Sequence, residues 1–370
     1  MLVGFAFLWT LGAGVAMAPP QPTELKRFQF DRVEMAVPFQ LVLYAPDAPT
    51  ANGAAEAALA RIRQLNAIFS DYDPESETRR LGDTAGKGLA VPTSQELWEV
   101  MGRAQELSRR SEGAFDVTVG PLVALWRRAR RQRELPRPEK LAAARELVGY
   151  RLVRVEPGNR AIELTNQGMK LDFGGIAKGY AIDQAMAVLR SRGITRAMIH
   201  AGGDVGVGDP PPDSAGWRVG VPSLKVGAPP YVILSLSQCA IATSGDTWQF
   251  VEIEGRRYSH IVDPRTGIGL TDHSQVTVVA SDGLTADGLS TAASVLGPEK
   301  GLKLIDDTPG TAALILRAPA GKTETFQSSR WKDLPKADPQ GPDTRTGAQG
   351  RGVSGRPLAL AAACLLVDPR

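Results

Sequence analysis

Residues 170–192, KLDFGGIAKGYAIDQAMAVLRSR, predict a β-strand that turns at two glycines into the start of a helix. Such a junction places backbone N–H groups and the positive end of a helix beside Asp172 and Lys178, an arrangement that suits a phosphate group. The glycine spacings of a Walker loop and of a dinucleotide-binding fingerprint are absent. On this segment alone, a tight turn with a surface lysine is the favoured interpretation.

β-prone and helical runs surround this stretch in an irregular order. Strands are predicted within 28–44 and at 152–155, 162–165, 169–173, 197–200, 217–221, 231–236, 258–262, 276–280 and 312–316. Helices are predicted at 54–69, from a capping box at 93–96 to Gly113, and at 139–148, 175–192 and 286–296. The mixture indicates an α+β fold rather than a regular βαβ series.

The composition gives no support to a nucleic-acid partner. The 370 residues include 43 Lys and Arg against 40 Asp and Glu, a net charge of +3 with evenly mixed signs. Residues 127–137 hold six arginines and no aromatic residue, which favours a solvated loop or helix face over a nucleic-acid site. The two cysteines, Cys239 and Cys364, give neither a disulfide framework nor metal-ligand spacing.

Both ends of the chain differ in character from the middle. Residues 1–18 are mostly apolar and end in Ala-Met-Ala, which predicts an export signal or, alternatively, an uncleaved N-terminal anchor that would associate the protein with a membrane. Residues 19–27 are interpreted as a linker and 28–317 as the folded domain. The low-complexity tail, 318–370, is predicted to be disordered. We therefore expect an exported protein, either periplasmic or tethered to the periplasmic face of the inner membrane.

Three further segments carry candidate chemical groups. His260 can serve as a general base, with Asp263 as a candidate for orienting it, although a half-buried strand histidine beside a turn-capping aspartate is the simpler interpretation of this segment alone. Asp287 and Thr291 are four residues apart, so they share a helix face and offer the hard oxygen ligands of Mg²⁺; a helix-end charge and a packing residue are the alternative. Asp204 follows two glycines and either caps a turn or contacts a substrate.

In combination, these segments resemble the ApbE family of flavin transferases, the FAD:protein FMN transferases. The resemblance covers residues 28–317 and is carried, in order, by segments at 69–77, 113–122, 171–183, 201–204, 242–246, 258–267 and 286–292. It implies an α+β fold of two intertwined subdomains with mixed or antiparallel sheets and with FAD bound between them.

The resemblance also implies an activity, namely Mg²⁺-dependent transfer of the FMN part of FAD to a threonine or serine of an exported redox protein, with release of AMP. It implies flavin contacts from Met35, Tyr72, Ala114, Phe115, Asp116, Asp172, Lys178 and Ile261. It implies Mg²⁺ ligation by Asp287, Thr291 and the carbonyl of Gly175, and it assigns His260 as the catalytic base. Hydrolysis of FAD to FMN and AMP, and flavin binding without turnover, are the alternatives.

Overall fold

The computed structural model describes residues 24–337, with helices and strands in mixed order. The strands are β1 Lys26–Glu34, β2 Val37–Ala45, β3 Val91–Pro92, β4 Val153–Glu156, β5 Ala161–Leu164, β6 Ala197–Ala201, β7 Asp204–Val207, β8 Trp217–Val221, β9 Val232–Leu236, β10 Cys239–Gly245, β11 Phe250–Ile253, β12 Arg256–Ser259, β13 Ser274–Ala280, β14 Ala312–Arg317 and β15 Glu324–Gln327. The helices are α1 Ala48–Phe69, α2 Glu77–Gly82, α3 Gln95–Arg110, α4 Gly120–Gln132, α5 Pro138–Arg145, α6 Ala177–Ser191 and α7 Gly283–Asp306. Short 3₁₀ turns lie at Tyr150–Leu152, Pro319–Gly321 and Trp331–Asp333.

One large sheet organises the structure. Eight strands lie in the order β1-β2-β6-β7-β10-β13-β14-β15, and every neighbouring pair is antiparallel. Three smaller sheets pair β3-β5-β4, β8-β9 and β11-β12. The α+β prediction with antiparallel sheets is therefore confirmed.

The two faces of the large sheet belong to different hydrophobic clusters. Alternate residues of a strand point to opposite faces, and in β2 Leu41 and Leu43 join the cluster that includes α1 and α6, while Val42 joins the other. The second cluster is covered by the β8-β9 hairpin and by Trp331. The helices on the first face carry the charged residues discussed below.

Two predicted strands are wrong in part. Residues 169–173 form no strand; Lys170 makes only an isolated bridge to Val119, and the apolar side chains of this segment fill the first cluster instead of a ladder position. Strand β12 ends at Ser259, so His260 follows the strand rather than lying within it. Apolar alternation alone does not distinguish a buried connector from a strand.

The capping box predicted at 93–96 is wrong, because the N-cap of α3 is Ser94 and not Thr93. Ser94 caps the helix by accepting a hydrogen bond from the Leu97 N–H at 3.2 Å. The Ser94 N–H donates to Glu77 Oε1 at 2.6 Å, whereas Glu96 pairs with Arg61 at 2.8 Å. The cap is thus completed from α2, which the local sequence does not indicate.

The boundaries of the folded domain also differ from those predicted. Strand β1 begins at Lys26, inside the predicted linker 19–27. The fold continues past Arg317, because β15 pairs with β14 and Trp331 is buried in the second cluster, so the predicted disorder of 318–370 is wrong for residues 318–337. The predicted leader, 1–18, and residues 338–370 lie outside the described part of the chain. Across residues 24–337, none of the helices combines the length and apolar character needed to cross a bilayer.

Candidate active site

Helices α6 and α7 begin in direct backbone contact. A Cβ atom added to Gly179 would lie 2.0 Å from the Gly283 carbonyl oxygen, and one added to Gly283 would lie 2.5 Å from the Gly179 oxygen. Asp183 accepts hydrogen bonds from the N–H groups of Gly283 at 2.6 Å and Leu284 at 2.9 Å, which ties the start of α7 to the side of α6. Only glycine permits this approach at either position.

Lys178, in the first turn of α6, lies between two buried carboxylates. Its Nζ is 3.1 Å from Asp287 Oδ2 and 3.0 Å from Asp204 Oδ2, and the Gly179 N–H also donates to Asp287. Burial lowers the pKa of Lys178, but the two carboxylates outweigh burial and raise it, so the lysine is charged at neutral pH. Burial, and next the charge of Asp287, raise the pKa of Asp204 to about 7. The ion pair with Asp204 is poorly directed, because its Oδ2 accepts no hydrogen bond.

Asp172 lies at the turn before α6 and pairs with an arginine that the sequence did not identify. Arg127 Nη2 is 3.1 Å from Asp172 Oδ2, and Nη1 of the same guanidinium bonds Asp71. Burial, followed by the charge of Asp71, raises the pKa of Asp172, and Arg127 opposes this shift. Arg127 also stacks over Tyr72 at 4.3 Å from the ring centroid. For Arg127, the prediction of a solvated face is therefore wrong.

Thr291, one turn after Asp287 on α7, lies beside Gly175. A Cβ added to Gly175 would lie 2.9 Å from Thr291 Oγ1, and this hydroxyl is 3.2 Å from Ser244 Oγ on β10. No group of three or more His, Cys, Asp or Glu side chains suited to a metal occurs within residues 24–337. A cation here would depend on one carboxylate together with hydroxyl and carbonyl oxygens, a donor set that fits Mg²⁺ with its retained waters. Asp204 lies nearby, since it contacts the same Lys178 ammonium as Asp287.

His260 is held by the main chain of Gln249. The carbonyl oxygen of Gln249 is 3.1 Å from His260 Nδ1 and also accepts the His260 N–H at 3.1 Å. Because a carbonyl only accepts, Nδ1 carries the proton in the neutral ring and Nε2 is the basic nitrogen. Burial, followed by the positive charges of Arg130 and Lys178, lowers the pKa of His260 to about 4 against the partial opposition of Gln249. The ring is therefore neutral at physiological pH.

Asp263 does not orient this histidine, contrary to one prediction. Its carboxylate accepts the Arg265 N–H at 2.9 Å and pairs with the Arg265 guanidinium at 2.9 and 3.0 Å. The carboxylate caps its own turn, as the simpler interpretation predicted. The group that orients His260 is the main-chain carbonyl of Gln249, which no side-chain pattern in the sequence indicates.

The segment that carries Gln249 is anchored by Asp246. This buried carboxylate accepts hydrogen bonds from His273 Nδ1 at 2.7 Å, from the Ser274 N–H at 3.0 Å and from Arg257 Nε. Burial raises the pKa of Asp246, but the bonds from His273 and Arg257 outweigh burial and hold it below the usual value. Asp246 belongs to one of the segments that carry the family resemblance, although no role was predicted for it.

Both carboxylate oxygens of Asp116 accept hydrogen bonds from other groups of the protein. Its Oδ1 accepts from the Thr118 N–H at 2.8 Å and hydroxyl at 2.7 Å, and its Oδ2 accepts from the Tyr150 N–H at 2.6 Å. Burial raises the pKa of Asp116, and these bonds oppose the shift. Both carboxylate oxygens are thus occupied in shaping the loop before α4.

A single cavity of about 820 Å³ brings the predicted site residues together. All twelve line it: Met35, Tyr72, Ala114, Phe115, Asp116, Asp172, Gly175, Lys178, His260, Ile261, Asp287 and Thr291. It is also lined by residues that the sequence did not single out for the site, among them Arg127, Arg130, Trp248 and Gln249. Met35 lies in the two-residue turn of the β1-β2 hairpin, where Met35 and Ala36 have φ of 49° and 60°. The size of the cavity and its mixture of polar and apolar lining residues suit a large, charged organic ligand.

Fold and site together define an α+β protein with a charged cleft at the paired starts of two helices. The chain belongs to the ApbE family, whose profile matches residues 35–315. It is 30% identical over 280 residues to the FAD:protein FMN transferase of Haemophilus influenzae, covering 74% of this chain and 81% of the relative. It is 32% identical over 273 residues to the FAD:protein FMN transferase of Vibrio cholerae, covering 72% and 80% of the two chains.

Solved structures agree in fold. The ApbE protein of Thermotoga maritima superposes with a TM-score of 0.75 at 30% identity, over 84% of this chain and 99% of that one. The flavin transferase ApbE of Vibrio cholerae superposes with a TM-score of 0.74 at 27% identity, over 84% of this chain and all of the other.

Proposed function

We propose that this protein transfers the FMN part of FAD to a threonine or serine hydroxyl of an acceptor protein and releases AMP. Family membership and the curated relatives identify the chain as an FAD:protein FMN transferase. The acceptor hydroxyl, the leaving group and the metal requirement are proposed from the chemistry of the cavity. FAD would lie in this cavity, between the two subdomains that the family resemblance implies.

The start of α6 supplies the charge that a diphosphate needs. Lys178 is cationic and lines the cavity, and the first turn of α6 has no side-chain cap. The Gly179 N–H already donates to Asp287 and the Ala177 N–H to the Phe173 carbonyl, so the attraction for an anion here comes from the helix dipole and the ammonium of Lys178. We assign the diphosphate bridge of FAD to this helix start, with Lys178 as its cation.

Asp287, Thr291 and the Gly175 carbonyl would hold the Mg²⁺ ion. When bound, this ion would neutralise charge on the phosphate oxygens. Lys178 is already paired with Asp287, so the lysine and the cation site share one carboxylate. The positions of both depend on the contact between the starts of α6 and α7.

His260 would activate the acceptor. Its Nε2 accepts the proton of the threonine or serine hydroxyl, the hydroxyl oxygen forms a bond to the FMN phosphorus, and the bond from that phosphorus to the bridging oxygen breaks, so that AMP departs with the bridging oxygen. The proton remains on His260 until solvent removes it. The Gln249 carbonyl holds the Nδ1–H tautomer that this step needs.

The observation that carries the proposal is a neutral, oriented His260 in the same cavity as the Lys178–Asp287 pair. The test is incubation of the purified protein with FAD, Mg²⁺ and a candidate acceptor. AMP together with an acceptor heavier by one FMN group supports transfer. AMP with free FMN identifies a hydrolase, and unchanged FAD identifies a binding protein.

We further propose an exported redox protein as acceptor, with the enzyme in the periplasm or tethered to its membrane face. The apolar, Ala-Met-Ala-terminated residues 1–18 support this location. Mass spectrometry of co-expressed exported proteins would reveal a covalent FMN adduct on the acceptor. Adducts confined to proteins without an export signal would contradict the proposed location.

A further inference from the structure

Beyond the cavity, the second half of α4 and the segment after it carry a strip of arginines. We call Arg128, Arg130, Arg131, Arg133 and Arg137 the arginine strip. Within residues 24–337 none of the five pairs with a carboxylate; Arg128 bonds only the neutral Gln132. All but Arg130 are exposed.

The strip is a local concentration of charge. Residues 128–146 contain seven Lys and Arg and three Asp and Glu, a net charge of +4, against +3 for the whole chain. Unpaired, exposed charges of one sign attract an oppositely charged partner over about a Debye length, roughly 8–10 Å. The partner that such a strip fits is acidic.

The strip continues into the proposed catalytic site. One face of α4 lines the cavity through Val123, Trp126, Arg127 and Arg130. Arg130 and His260 line the same cavity, and the charge of Arg130 contributes to the lowered pKa of that ring. The exposed Arg131 and Arg133 follow the cavity-lining Arg130 within one helical turn.

We infer that the arginine strip docks an acidic segment of the acceptor polypeptide beside its target threonine or serine. The inference rests on the proposed transfer to a protein hydroxyl. Arg130 lines the cavity that holds His260, and Arg131 and Arg133 continue from it along the last turn of α4 and its C-terminal cap, so a polypeptide bound at His260 would have these two arginines within reach. Arg131 and Arg133 do not line the cavity, so they are free to contact a macromolecule while the nucleotide is bound.

The test measures binding of two labelled peptides by fluorescence anisotropy. Both contain a central threonine, flanked by Asp and Glu in one and by Asn and Gln in the other. The test variant is Arg131→Gln/Arg133→Gln, and Arg131→Lys/Arg133→Lys retains the charge. The matched control, Arg192→Gln/Lys303→Gln, removes the same charge from the end of α6, about 20 Å from Lys178, and from the part of α7 beyond Gly297.

We expect the acidic peptide to bind the unaltered protein about tenfold more tightly than the amide peptide at low salt, with the difference falling as salt increases. The Gln variant should lose most of that preference, whereas the Lys variant and the control should keep it. Flavinylation of an acceptor protein is followed in parallel. Its absence in the unaltered enzyme overturns the proposed function, which peptide binding does not test.

Two results would overturn the docking surface alone. One is equal binding of the acidic peptide by the unaltered protein and the Gln variant, with flavinylation intact. The other is strip-dependent binding to phosphatidylglycerol vesicles without binding of the acidic peptide, which would make the strip a membrane contact.

Discussion

Nζ of Lys178 lies 3.1 Å from Oδ2 of Asp287, so the residue that we assign to the FAD diphosphate and the residue that we assign to the metal ion form one partly buried ion pair. Asp204 shares the same ammonium at 3.0 Å. The charge of the lysine is therefore balanced by the protein itself, and a change at either carboxylate affects both proposed ligands.

Replacement of Asp287 tests the metal assignment. Asp287→Asn keeps the shape of the side chain but removes the negative charge that would bind Mg²⁺. We therefore expect the Mg²⁺ concentration for half-maximal AMP release to rise by roughly 10- to 100-fold. Ser294→Ala, about two turns further along α7, is the matched control and should leave this concentration unchanged. If Asp287→Asn alters neither the Mg²⁺ requirement nor the rate, the metal assignment is wrong.

Removal of the imidazole tests the proposed base. His260→Ala should lower kcat for flavinylation by about 10²- to 10⁴-fold, the usual contribution of general acid–base catalysis. The dissociation constant of FAD, measured by quenching of flavin fluorescence, should change little, because the ring is assigned to the acceptor hydroxyl. A large loss of FAD affinity with kcat retained would move His260 from the catalytic step to nucleotide binding.

The pH dependence of kcat offers a separate test of the same residue. Burial lowers the pKa of His260 to about 4, so the neutral ring persists through pH 5–6 and is lost as the pH falls through about 4. The acidic limb of the kcat profile should therefore lie near pH 4 instead of near the ordinary value of about 6.5. A limb near 6.5 would show that the ring is solvated during turnover.

The lowered pKa of His260 also makes the stability of the folded protein depend on pH, so the kinetic assay needs a stability control. A folded-state pKa below the unfolded value means that the unfolded chain binds a proton first, so stability declines as the pH falls below about 6.5 towards 4. Initial rates should therefore be paired with circular dichroism at each pH. Loss of rate without loss of structure is the result that reports on catalysis.

Trp331 tests whether residues 318–337 belong to the fold. The side chain is 2% exposed in the second hydrophobic cluster, so Trp331→Ala should lower the free energy of unfolding by about 3–5 kcal/mol. Trp248, at 36% exposure, is the comparison, and Trp248→Ala should cost about 1 kcal/mol or less. Equal losses in urea unfolding would contradict the assignment of Trp331 to the core.

The sequence predicted the elements whose signal is local. Asp287 and Thr291 share a helix face because they are four residues apart, and both line the cavity. The family resemblance supplied twelve residues, from Met35 to Thr291, that line one cavity. Their individual roles remain predictions.

The rest depends on relationships that a single sequence does not display. In the sequence, nothing distinguishes Arg127 from the five arginines that follow it. Its position on α4 brings it to Asp71, 56 residues earlier in the chain, and to Asp172, 45 residues later. The Gln249 carbonyl that orients His260 is a main-chain atom and carries no side-chain signal. Pro319 and Gly321 resemble the start of a tail, yet β15 follows them.

The backbone contact between Gly179 and Gly283 limits how this family member can be altered. A methyl group at either glycine would force the helices apart, and the lysine and the carboxylate would separate with them. Engineering a new nucleotide preference should therefore start at lining residues outside this contact, such as Met35 and Ala36 of the β1-β2 turn, which can change without moving the two helix starts. The positions of Lys178 and Asp287 would then stay fixed while other residues that line the cavity are changed.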